Sequence, residues 1–183
     1  MKPVMSDRTV LRLADLPSRK PTHFTYVPDA GTLAGLAAEM DLSALRKMRL
    51  EGRLQPMGQS DWTLEARLGA TVVQPCVVTL EPVTTRIDEP IARQYLANYE
   101  PPTDAEAEMD EDDTIEALPE VVDLAVVAAE ALALALPPYP RAEGAALEQT
   151  VFTKPGEAPM TDDDVKPFAG LAALKAKLEG PDT

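Results

Sequence analysis

Cysteine, histidine and aromatic side chains are scarce in this chain, and each shortage removes a class of function. Cys76 is the only cysteine, so no intramolecular disulfide can form and a reducing compartment is expected. His23 is the only imidazole. A structural zinc site closes with four soft ligands and usually opens on a Cys-x2-Cys pair; here Thr79 stands where the second thiol would be. A nucleophilic pair would have to join Cys76 to His23, and nothing in their spacing supports that. Cys76 therefore reads as a buried or turn cysteine. Gly-rich phosphate loops, G-x-S-x-G elbows and H-E-x-x-H helices are missing too. With three Phe, four Tyr and one Trp, the core must be built from Leu, Val, Ala and Met. The first twenty residues show no charged-then-apolar leader, so a cytoplasmic protein is expected.

What is abundant is acid, unevenly placed. The net charge is −14, yet residues 1–60 carry nine Lys/Arg against six Asp/Glu, whereas residues 101–183 carry five against nineteen. Such a chain gains nothing from long-range attraction to nucleic acid, although a local basic patch can still hold phosphate. The acidic half is equally suited to a basic protein. The dense run from Glu106 to Asp113 lacks the hinge glycine and terminal glutamate of a calcium loop and reads as solvated charge. Asp162, Asp163 and Asp164 read as first-turn acids of a helix beginning after Thr161.

Periodicity organises the rest. His23–Val27 reads as a strand. Thr32 is expected to cap a helix whose Leu33, Leu36, Ala37 and Met40 share a face, with Gly35 weakening it by up to ~1 kcal/mol. From Arg46 the period becomes two, with Met48, Leu50 and Leu54 on one side and Lys47, Arg49, Glu51 and Arg53 on the other. A turn at Gly58–Asp61 leads into the clearest strand, where Trp62, Leu64, Ala66, Leu68, Ala70 and Val72 alternate with Thr63, Glu65, Arg67 and Thr71. These segments form a hairpin with one dry and one wet face. Gln74–Pro82 connects it to a further strand running to Leu96, where Pro90 marks an edge or bulge. Residues 100–120 are expected to be a mobile acidic loop. In Leu124–Leu136 the one charged side chain is Glu130. Asp123 is placed to cap this helix, and Pro137 and Pro138 to stop it. Val126 and Leu134 make its second face apolar as well, which predicts burial all round, in the domain or against a partner. It is too short for a bilayer. A last helix is expected over about 167–179, with Pro167 at its first turn, a Phe168–Leu171–Leu174–Leu178 stripe and Gly180 as its stop; the stripe docks on this chain or on a partner.

On the hairpin, Lys47, Arg49, Arg53 and Arg67 share the wet face. That is how a phosphate-binding strip looks, and also how an ordinary solvated sheet looks with Glu51 and Glu65 pairing across it. No aromatic side chains interleave them to stack bases.

Three segments in this order resemble the YceD family, the bacterial and plastid large ribosomal RNA subunit accumulation proteins. They are Cys76-Val-Val-Thr-Leu-Glu-Pro82, Val122-Asp-Leu through Ala129-Glu-Ala-Leu-Ala-Leu-Ala-Leu-Pro-Pro-Tyr-Pro140, and Lys166-Pro-Phe-Ala-Gly-Leu-Ala-Ala-Leu-Lys175. The residues matching the pattern are Cys76, Leu80, Glu81, Pro82, Asp123, Leu124, Glu130, Leu136 and Pro137, most of them structural in character. Many family members carry Cys-x2-Cys at the central loop; Thr79 here argues against a metal or redox role. The resemblance implies a non-enzymatic factor in accumulation or processing of 23S ribosomal RNA or in ribosome assembly, with no catalytic residues, metal or cofactor. Its partner would be large-subunit rRNA or a pre-ribosomal particle, without DNA or membrane. The alternative is an acidic adaptor holding a basic ribosomal protein or assembly factor without touching RNA. The expected fold is α+β: an antiparallel meander or partial barrel packed with two to three helices. It is expected to comprise an N-terminal arm (1–22), a core (23–140) and a flexible tail (141–183).

Overall fold

A computed structural model describes residues 9–99, 114–146 and Lys154. The chain divides into two compact units after Ala145, and the elements below all belong to the first. The fold is α+β, with a five-stranded sheet, a separate two-stranded ribbon and two α-helices among the described residues.

The main sheet runs in the order β2 (Thr22–Tyr26), β3 (Ala44–Met57), β4 (Asp61–Pro75), β5 (Pro82–Leu96) and β6 (Ile115–Ala117). The first four form an antiparallel meander, and β6 joins β5 in parallel over Gln94–Leu96. The sheet is therefore mixed and does not close into a barrel. Ile115–Ala117 falls inside the stretch expected to be a mobile loop. It pairs because the charge run has ended by Thr114, and Leu118 N–H then donates to the Leu96 carbonyl at 3.0 Å. Pro90 lies where β5 has β4 on one side and, among the described residues, no strand on the other, the edge position its missing N–H requires. The rest of the acidic tract (100–113) and the expected helix at 167–179 lie outside the described residues.

Alternation does the folding work in β3 and β4. Leu50, Leu54, Leu64, Leu68, Ala70 and Val72 are fully buried, and Trp62 nearly so. Each fully buried leucine contributes roughly 1.5–3 kcal/mol relative to exposure. The two-residue period breaks once, at a bulge between Arg46 and Arg49, where Lys47 takes φ 52°. The extra residue lets Leu45 and Met48, three apart, both point into the core. Gly52 answers a second demand: a Cβ there would lie 2.3 Å from the Glu65 carbonyl oxygen of β4.

Helix α1 (Ala30–Glu39) packs on β3. Its cap is Asp29, not the expected Thr32. The Asp29 carboxylate accepts from Thr32 N–H at 2.7 Å, so the helix starts three residues earlier. Helix α2 (Leu124–Ala135) is capped as expected, Asp123 accepting from Ala125 N–H at 2.9 Å, and ends before Pro137. Leu124, Val127, Ala128, Ala131 and Leu132 are buried against the sheet and β1. The expectation of burial all round fails within this unit. Val126 is 60% and Leu134 82% exposed, because one layer of sheet can cover only one face of a helix. Within the stretch read as an arm, Val10–Arg12 forms β1, which pairs antiparallel with β7 (Val121–Asp123) and buries Leu11 against the core.

Candidate functional site

Strand pairing sorts the charges. The outer face of the main sheet carries four successive rows: Arg46–Thr71–Arg86, Arg49–Gly69–Asp88, Thr25–Glu51–Arg67–Pro90 and His23–Arg53–Glu65–Ala92. Arg49, Arg53 and Arg67 thus share one face, as their alternation predicted, and Lys47 stands exposed at the bulge beside them.

The three carboxylates in these rows are all held in ion pairs. Arg53 donates to Glu65 Oε2 from Nε at 3.0 Å and from Nη2 at 2.6 Å, across the strands. Arg86 donates to both oxygens of Asp88, at 2.9 and 3.0 Å, and holds that carboxyl below its ordinary range, with Arg67 adding a smaller effect. The pair lies over Gly69, where a Cβ would come within 2.6 Å of the Arg86 guanidinium. Glu51 pairs along its own strand with Arg49, although Arg67 is the residue opposite it. Of the cations on this face, Arg46, Lys47 and Arg67 have no ion pair among the described residues. The face therefore keeps a positive remainder; which cations supply it is decided by side-chain geometry, not by counting or alternation. Arg86 and His23 were not among the sequence candidates; only the register shows that they complete rows of this face.

Leu16, Pro17 and Pro21, on the chain leading into β2, line an open groove of about 880 Å³ together with Thr25, Arg53 and Arg67. The turn between the prolines carries Arg19 and Lys20, both exposed.

The residues that match the family pattern fall on the Cys76 turn and along α2 with its exit. Cys76, fully buried, starts the turn between β4 and β5. Its Sγ accepts from Ala142 N–H at 3.3 Å and from Val78 and Thr79 N–H at 3.4 Å. The Ala142 contact, with Thr79 next, pulls the thiol down from 9.0 to about 6 against the opposing effect of burial. Val77 N–H donates to the Pro140 carbonyl and the Gln74 amide to that of Pro137. The Cys76 turn and the proline-rich exit of α2, some sixty residues apart in sequence, are thus bound together. Leu80 holds φ 64° and is 77% exposed, with Glu81 and Pro82 exposed beside it. Asp123 and Leu124 begin α2, Glu130 reaches Arg93 of β5 at 2.8 Å, and Leu136 is the C-cap residue. Cys76, Asp123, Glu130 and Pro137 each make a contact that joins parts of the fold, whereas the Leu80 side chain stands in solvent. No cluster of three or more metal-ligating side chains occurs among the described residues, and none of their helices is long and apolar enough to cross a membrane.

A family model described as large ribosomal RNA subunit accumulation protein YceD matches residues 64–175. The matched stretch takes in Arg67, the Cys76 turn, Arg93 and α2, and begins after β2 and β3. No curated protein and no solved structure matches the chain.

Proposed function

This chain belongs to the YceD family of large ribosomal RNA subunit accumulation proteins, and from that membership we propose that it promotes 23S rRNA accumulation or large-subunit assembly without catalysing a reaction. In this reading it works in the cytoplasm and touches the RNA directly, through phosphates laid on the outer face of the main sheet. The observation that carries it is the positive remainder at Arg46, Lys47 and Arg67 on a face whose carboxylates are all paired. Cations already engaged by a carboxylate attract phosphate weakly, whereas unpaired ones release counterions when they bind it. The acidic remainder of the chain, net −14 over residues 101–183, repels RNA elsewhere and confines binding to this face.

The test is an anisotropy titration of 23S rRNA fragments over a range of salt. Affinity is expected to fall steeply with salt. The triple change Arg46→Ala, Lys47→Ala, Arg67→Ala is expected to flatten the log–log slope by about 0.7 for each phosphate no longer neutralised. If that variant binds like the parent, while deletion of residues 103–113, which spares β6, abolishes capture of a basic ribosomal protein, the adaptor reading replaces this one.

A further inference from the structure

The groove beside Arg67 has a composition that a phosphate strip alone does not need. Its lining includes the apolar Leu16, Pro17 and Pro21; proline fixes its own backbone, so this part of the lining is ordered before anything binds. The lining also holds Arg53, whose guanidinium is pinned by two N–H groups to one oxygen of Glu65, and Arg67, which has no ion pair. A pinned guanidinium offers a flat face for stacking, and an unpaired one offers a charge for phosphate. The opening, about 880 Å³, falls within the range typical of ligand-binding clefts.

Resting on the RNA reading above, we propose that this groove receives an unpaired nucleotide of the RNA. Its base lies between the lining prolines and Arg53, and its phosphate meets Arg67. Charge decides between occupants: Glu51 and Glu65 are both neutralised by arginines, so a basic peptide finds no free carboxylate there. Arg67, which lines the groove without an ion pair, favours an anion, and the turn between the two lining prolines carries Arg19 and Lys20. Paired RNA does not fit, because bases in an A-form helix are stacked away from side chains; unpaired bases can be splayed into a cleft and stacked on guanidinium planes. The sequence hid this site because the stacking surface is proline and arginine, not the interleaved aromatics by which such faces are usually read.

The experiment compares a labelled single-stranded oligoribonucleotide with a hairpin duplex of the same composition, on the full chain, by anisotropy at fixed salt. Single-stranded RNA is expected to bind about tenfold more tightly. The double change Pro17→Ser, Pro21→Ser, at exposed positions and checked for an unchanged melting curve, is expected to remove most of that preference while leaving duplex affinity and the salt slope alone. A photoactivatable uridine in the strand is expected to cross-link to the peptides carrying Pro17–Thr25 or Glu65–Arg67. Equal binding of single strand and duplex, indifference to the proline changes, or cross-links confined to other peptides would overturn the groove assignment and leave the phosphate face standing. Absence of any salt-dependent RNA binding would sink both.

Discussion

Arg93 Nη2 of β5 lies 2.8 Å from Glu130 Oε2 of α2, while Arg93 Nη1 donates to Glu116 Oε1 of β6 at 2.9 Å. One guanidinium, only 13% exposed at its side chain, therefore ties the sheet's far edge to the one charged residue of the helix. Its carboxylate partners are roughly half exposed. Removing one of them should cost little, because solvent screens such pairs. Removing the arginine abolishes both pairs and its packed stem. Glu130→Gln is expected to lower stability by less than about 1 kcal/mol, and Arg93→Ala by about 2 kcal/mol. Urea unfolding of the two variants measures the difference; equal effects would mean that the helix is not held through Arg93.

Two glycines should respond to alanine in opposite directions. At Gly52 the new methyl would meet the Glu65 carbonyl and the Ala66 backbone at 2.3 and 2.7 Å, and two strands would have to part. Gly52→Ala is expected to cost on the order of 3 kcal/mol or prevent folding. Gly35, exposed on α1, has nothing within 4 Å. Gly35→Ala is expected to stabilise by up to ~1 kcal/mol. Thermal melts of both proteins check the signs.

The Cys76 thiol makes stability depend on pH. Its value is lowered from 9.0 to about 6 in the fold, so between those limits the folded chain carries a thiolate where the unfolded chain still holds the proton. The contribution is complete above the unfolded value. It disappears as pH falls through about 6. Relative to Cys76→Ser, the parent is expected to gain stability as pH rises from 6 to 9. Its ultraviolet thiolate absorbance should titrate with a midpoint near the lower end. A midpoint close to 9 would show that the three N–H groups do not hold the sulfur as an anion.

Glu65 should restrain RNA binding. It occupies Arg53 through two hydrogen bonds. Glu65→Gln is therefore expected to raise affinity for duplex 23S fragments, which do not use the groove, and steepen their salt dependence by about 0.9, the effect of one further phosphate neutralised. The paired-cation variant Arg49→Ala, Arg53→Ala should weaken binding less than Arg46→Ala, Lys47→Ala, Arg67→Ala. A reversed order in the anisotropy titration would mean that ion pairing does not decide which cations reach the RNA.

What could be read from the chain alone is local. Two-residue alternation from Trp62 to Val72, the Asp123 cap, the proline stop after Leu136 and the edge placement of Pro90 each depend on a few neighbouring residues, so their physics is complete within the sequence. Placement of Arg49, Arg53 and Arg67 on one face follows from the same alternation. The remainder came from folding in three dimensions. Whether Glu51 answers Arg49 or Arg67, and hence which cations stay unpaired, depends on register and side-chain geometry across strands. The junction of Cys76 with Ala142 joins segments sixty-six positions apart. The exposure of Leu134 follows from the sheet covering one side of α2. Each of these depends on the partner that folding brings near a residue, and composition and period carry no record of that partner.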